Sequence, residues 1–193
     1  SPAVHELIKK DPSLKPIFEA REKVDVTLDD DYFIVLVEAI VNQQLSGKVA
    51  QVIYGRLKNL LNNELTPGNI LSSSFDDLRT CGLSARKIEY IQSLAKLVNS
   101  GEVHFRGIEE MTNQEIIDML VKIKGIGPWT AEMFLLFSLG REDVFSVLDL
   151  GLRMAMKKLL GQELTKDQLL EKASKWAPYR SYVSHFLWYY LEK

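Results

Sequence analysis

Between Leu120 and Ala131 a helical pattern runs into Gly125-Ile126-Gly127 and restarts at Pro128. Glycine tolerates φ > 0 and close backbone approach, and proline suits the first helical position because its missing N–H would be unpaired there anyway. The string therefore predicts two helices joined by a tight hairpin, with backbone N–H groups pointing outward at the start of the second helix. Such groups bind an anion, for instance a DNA phosphate, without reading a base. Gly125, Ile126 and Gly127, with neighbouring Lys124, are the residues expected to do so. A Gly-x-Gly taken alone fits a plain helix–turn–helix corner equally well, so the expectation rests on the whole string.

Helical periodicity continues through almost all of the chain. Tyr32–Gln43 is a dense apolar stretch, too long for an ordinary strand and suited to a buried helix. Ser46 caps a following helix with Val49, Val52, Ile53 and Leu57 on one side, and Thr66-Pro67-Gly68 opens one short helix ending before Gly82. Ser84 caps a helix whose Ile88, Ile91, Leu94, Ala95 and Val98 recur at three- and four-residue spacing. Thr112-Asn113-Gln114-Glu115 and Thr165-Lys166-Asp167-Gln168 are capping boxes. Residues 179–191 form an aromatic-rich C-terminal helix. No alternating strand pattern appears, which predicts an all-α fold of about nine or ten helices.

Composition excludes several classes. A single cysteine, Cys81, rules out an intrachain disulfide and a four-cysteine cluster, and reads as a small buried residue. His5, His104 and His185 lack metal-ligand spacing, and His185 is expected to be hydrogen-bonded within its helix. No apolar run reaches the roughly 20 residues that span a bilayer, and no secretory signal is visible at the N-terminus. An intracellular location is expected: cytoplasm and nucleoid in a bacterium, nucleus in a eukaryote. The net charge of −2 argues against broad electrostatic wrapping of nucleic acid and leaves room only for a local basic patch.

Residues 120–137, LVKIKGIGPWTAEMFLLF, resemble the helix–hairpin–helix of the DNA glycosylase superfamily defined by that hairpin and a following Gly/Pro-rich loop with an aspartate. Asp149 stands twenty residues after Trp129, about where that family places its catalytic aspartate. Ala39–Ser46 resembles the segment that inserts into DNA, and Gly82–Lys87 the middle motif. Trp176–Tyr182, continuing to Trp188, resembles the C-terminal signature of the alkylpurine branch typified by DNA-3-methyladenine glycosylase II. The resemblance spans roughly 31–191. It departs from the family at Ser146-Val147-Leu148-Asp149, which has one acid and no proline.

The resemblance implies one glycosylase unit over 1–193 with two helical lobes and the active-site cleft between them. The approximate lobes are 31–110, carrying the DNA wedge, and 1–30 with 111–193, carrying hairpin and catalytic residue. It implies hydrolysis of the N-glycosidic bond of alkylated purines such as 3-methyladenine and 7-methylguanine. A carboxylate near C1′ stabilises the cationic sugar as the base departs and orients the attacking water. Asp149 takes that role by resemblance, although an aspartate at a helix start is also an ordinary N-cap; Asp143 is the rival carboxylate and reads better as a loop or cap residue. Trp129 stands where lyase members hold a Schiff-base lysine, which implies a monofunctional enzyme. Trp129, Trp188 and Met133 are expected around the electron-poor base, against the alternative that either tryptophan is core.

Flipping the nucleotide leaves a gap, which Gln44 with Leu45 is expected to fill. The family also implies an optional Na⁺ or K⁺ on the carbonyls of Val121, Ile123 and Ile126, and otherwise no cofactor. The partner would be double-stranded DNA containing alkylated bases, bound by a monomer, with no membrane involved. Two alternatives stay open on the residues alone: a non-catalytic helix–hairpin–helix DNA-binding module, and a glycosylase for an oxidised or deaminated base.

Overall fold

Short-range capping explains where the chain turns. The computed structural model describes residues 1–193, which form twelve α-helices, two 3₁₀ turns and no strand. Helices α1 (Pro2–Lys10) and α2 (Lys15–Ala20) flank the 3₁₀ turn Pro12–Leu14, and an extended stretch leads to α3 (Tyr32–Asn42). Ser46 accepts from the N–H of Val49 to start α4 (Gly47–Leu60). Where one short helix was expected there are two, α5 (Pro67–Ser72) and α6 (Phe75–Thr80). The cause is local: Ser73 leaves the helical region at ψ 141, and Ser74 caps afresh on the N–H of Asp77. Ser84 caps α7 (Ala85–Ser100) as expected.

Thr112 and Glu115 close both hydrogen bonds of a capping box ahead of α8 (Asn113–Leu120). The hairpin comes next, then α9 (Pro128–Phe137) and α10 (Leu150–Leu160). Thr165 and Gln168 form the second box ahead of α11 (Lys166–Ser174), and α12 (Arg180–Glu192) ends the chain. The expected nine or ten helices become twelve because α1, α2, α5 and α6 are each nine residues or fewer. Such short pieces give little helical period to read.

The chain divides into two compact units, Asp29–Ala131 and the pair of segments Ser1–Leu28 with Glu132–Lys193. In the first, α7 is the central strut and packs on α3, α5 and α6. Its Ile88, Ile91, Leu94 and Ala95 are buried, together with Leu36, Val37 and Ile40 of α3. The inward face of α4 is Ala50, Ile53 and Leu57, while Val49 and Val52 are about half exposed, contrary to the side read from periodicity. These five apolar residues in nine positions fit two overlapping stripes, and packing selects one.

The hairpin and α8 were expected to group with the catalytic segment; they belong instead to the unit Asp29–Ala131. The reason is a set of bonds to α7: Lys124 N–H donates to Ser93 Oγ (3.2 Å), and Lys124 Nζ pairs with Glu89 (2.7 Å). In the other unit α10, α12 and α2 enclose Leu14, Ile17, Leu152, Trp176, Phe186 and Leu187, all 1% exposed or less. No helix is long and apolar enough to cross a membrane.

Candidate functional site

Asp149 is the N-cap of α10 and is only 7% exposed. Its Oδ2 accepts from the N–H of Leu152 (2.8 Å) and from the indole Nε1–H of Trp188 on α12 (2.9 Å). A capping aspartate needs only the first of these bonds. The second fixes the carboxylate from a helix 39 residues away. Gly151 leaves room beside this bond: a Cβ there would stand 3.1 Å from both Asp149 Oδ2 and Trp188 Nε1.

A second carboxylate lies close by. Ser146 Oγ, fully buried, donates to Glu132 Oε1 (3.2 Å), and the carbonyl of the same serine accepts from the N–H of Asp149 (3.3 Å). Burial pushes the Glu132 carboxyl above the usual carboxylate range, and the charge of Asp149 adds to that against the Ser146 bond. Nothing in the sequence distinguished Glu132 or Gly151 from neighbouring helix residues. Their positions beside Asp149 arise from tertiary packing.

The rival Asp143 is committed elsewhere. Arg180 grips it in a two-pronged ion pair, Nε to Oδ1 (2.7 Å) and Nη2 to Oδ2 (2.9 Å), which holds the carboxyl below its ordinary range. Ser181 and Ser184 complete this clasp between the loop and α12: Val144 N–H donates to Ser181 Oγ, and Ser184 Oγ donates to Val144 O.

Trp188 also stacks at a tilt on Phe137 (5.4 Å between centroids) and lies near His185 (5.7 Å). These three, with Val24, Val26 and Thr27 among others, line a cavity of about 420 Å³. His185 is held by ring contacts with Phe137 and Trp188 rather than by the expected hydrogen bond, and burial lowers its pKa below the ordinary value. Met133 is half-buried on α9. Tyr182 packs against Phe18 and Phe186, as a core residue does.

In the unit Asp29–Ala131, Gly125 adopts φ +85°, and a side chain there would collide with the ring of Tyr90. Gly127 has a negative φ and open space around it. Ile126 points inward, 4% exposed, and its N–H donates to Ile123 O (3.1 Å). The turn therefore consumes the Ile126 amide. The N–H and ammonium of Lys124 are likewise engaged by Ser93 and Glu89.

Gln44 lies in the turn after α3 at φ +55°, a left-handed conformation uncommon for glutamine, with its side chain exposed. Beside it Gln43 donates to the Gly125 carbonyl (2.7 Å). Gln43 and Gln44 share a cleft of about 540 Å³ with Ser84, Arg86, Lys87, Tyr90 and Trp129, the last 46% exposed. The structure thus brings Gln44, Trp129 and the hairpin together. Leu45, 37% exposed, lines a different depression with Val41, Ala50 and Tyr54. No group of three His, Cys, Asp or Glu side chains is placed to hold a metal ion.

The chain belongs to the HhH-GPD superfamily of base excision DNA repair proteins, whose family pattern it matches over residues 37–179. It is 39% identical over 158 residues to DNA-3-methyladenine glycosylase 1 of Schizosaccharomyces pombe, a match covering 79% of this chain and 69% of that protein. The solved structure of a DNA-3-methyladenine glycosidase from Bacillus halodurans superposes with a TM-score of 0.92 at 40% identity, over 99% of this chain and 89% of that one. A 3-methyladenine DNA glycosylase of Schizosaccharomyces pombe, solved in complex with abasic DNA, gives a TM-score of 0.81 at 33% identity, over 97% and 95% of the two chains.

Proposed function

We propose that this protein is a monofunctional DNA glycosylase that hydrolyses the N-glycosidic bond of alkylated purines in double-stranded DNA. The observation that carries the proposal is the buried Asp149 carboxylate held by the Leu152 N–H and the Trp188 indole. Similarity to relatives named for 3-methyladenine supports the substrate class. All the residues invoked come from one chain, and a monomer suffices.

Alkylation at N3 or N7 leaves the purine cationic, so the bond to C1′ breaks with its electron pair going to the base, which departs neutral. Positive charge develops on the sugar, and Asp149 stabilises it. Water adds to C1′ and gives up its proton, for which Asp149 is the acceptor. Phe137 joins Trp188 in presenting π-faces to an electron-poor ring, with Met133 on the same helix as Phe137. Trp129 offers a further aromatic face beside Gln44. Tryptophan cannot form the Schiff base of a lyase, so the sugar–phosphate backbone is left intact.

The amides of Gly125 and Gly127 at the start of α9 grip a phosphate, and Gln44 with Leu45 fills the gap left by the flipped nucleotide. An Na⁺ or K⁺ on the carbonyls of Val121, Ile123 and Ile126 would add positive charge beside that phosphate. Base release from DNA carrying 3-methyladenine, 7-methylguanine, hypoxanthine or 8-oxoguanine tests the proposal. The methylated purines should be released, and Asp149→Asn should lose about 10²–10³-fold in rate while still binding DNA. Unchanged release by Asp149→Asn would remove Asp149 from the chemistry, and binding without release by the wild type would leave only a DNA-binding module.

A further inference from the structure

We infer that Lys87 is a positioning residue of the DNA-inserting turn, and that through it α7 makes the turn and the hairpin one rigid piece. The inference rests on the glycosylase reading above. Helix α3 ends at Asn42, and its last carbonyls have no intrahelical partners. Lys87 Nζ supplies donors to two carbonyls there, Val41 O and Gln43 O, each at 2.7 Å. A cation at a helix C-terminus is also favoured by the helix dipole.

Immediately after the lysine-held carbonyls comes the strained position, Gln44 at φ +55°. A non-glycine residue in that region is strained and persists only where neighbours over-determine it. The neighbours here are Lys87, which holds the backbone on one side, and Gln43, whose amide reaches the Gly125 carbonyl 82 residues on. Helix α7 then completes the connection. Glu89, Tyr90 and Ser93, two to six residues beyond Lys87, hold Lys124 and pack on Gly125. Lys87 is half-buried, and burial lowers its pKa from the ordinary lysine value, in keeping with an ammonium turned from solvent towards backbone oxygens.

A side chain pushed between stacked bases works against the cost of unstacking them. A turn free to relax would yield before the bases did. Lys87 therefore acts on extrusion of the nucleotide, and neither on phosphate binding nor on bond cleavage. Single-turnover release of 7-methylguanine separates these steps when the lesion is either paired with cytosine or left unpaired in a one-nucleotide bulge. Lys87→Met should lower the paired rate at least about tenfold and the bulge rate less than about threefold, with Kd for both duplexes nearly unchanged.

Gln43→Leu cuts only the connection to the hairpin, leaves both Lys87 bonds in place, and should give the same pattern. It also serves should Lys87→Met fail to fold. Equal losses on both substrates, or an undiminished paired rate, would overturn the inference. A wild type that releases nothing from either substrate overturns the glycosylase reading instead. Insertion is then read from 2-aminopurine fluorescence beside an abasic analogue: a wild-type rise that Lys87→Met lacks supports the positioning role, and an equal rise defeats it.

Discussion

At the scale of single residues, Asp149 shows one carboxylate meeting two demands. Its Oδ2 both caps α10 and receives the Trp188 indole N–H. The N-cap role is therefore filled, and the second bond, from the indole, is what the proposed catalytic role adds to it. Trp188→Phe tests the indole contribution, since it removes the donor and keeps an aromatic ring against Phe137. A hydrogen bond to a charged group is worth about 1.5–3 kcal/mol, so base release should fall roughly ten- to a hundredfold, with DNA affinity and Tm little changed. A rate within about twofold of wild type would show that the indole does not orient the carboxylate for the reaction. Glu132 was invisible in the sequence because a glutamate inside an apolar helix carries no sign of which loop will cover it.

At the scale of elements, the two hairpin glycines sit in different surroundings. Gly125 combines φ +85° with the ring of Tyr90 where a Cβ would go, whereas Gly127 faces open space. Gly125→Ala should therefore destabilise the fold by more than about 1 kcal/mol, which lowers Tm by at least roughly 2–4 °C in a chain of this size. Gly127→Ala should leave Tm nearly unchanged and weaken DNA binding, because only an approaching phosphate backbone meets the added methyl. Thermal denaturation with fluorescence anisotropy on duplex DNA separates the two, and equal Tm losses would refute the distinction. The Gly-x-Gly pattern revealed the turn but could not tell its two glycines apart, since Tyr90 lies 35 positions from Gly125.

At the scale of the whole molecule, one compact unit is assembled from both ends of the chain. Asp11, 5% exposed, ties them together by accepting from Ser13, from Lys172 Nζ (2.9 Å) and from Trp176 Nε1 (2.9 Å). Burial alone would raise its pKa, but the bonds from Ser13, Trp176 and Lys172 outweigh it and the carboxyl titrates below its usual value. The stabilisation is therefore fully present above the ordinary aspartate value of about 3.9 and is lost as pH falls through the lowered folded value. Asp11→Ala, which strands a partly buried ammonium, should cost about 3–5 kcal/mol near neutral pH. Urea titrations should show the two proteins converging below about pH 4; a constant gap down to pH 2 would exclude this linkage.

The helix–hairpin–helix string, both capping boxes, the serine caps of α4 and α7 and the all-helical class were legible in the sequence. Each is set by residues within about four positions of one another, the range over which helix hydrogen bonds and caps act. The resemblance carried Asp149, Trp129 and Gln44 as candidates on the same local strings. Tertiary structure alone decided which stripe of α4 is buried, which unit owns the hairpin, and which groups touch those candidates. Lys87 meets Gln43 across 44 residues, Trp188 meets Asp149 across 39, and Trp176 meets Asp11 across 165. Contacts of that range form only when whole helices pack, and the choice depends on the shape of every neighbour at once.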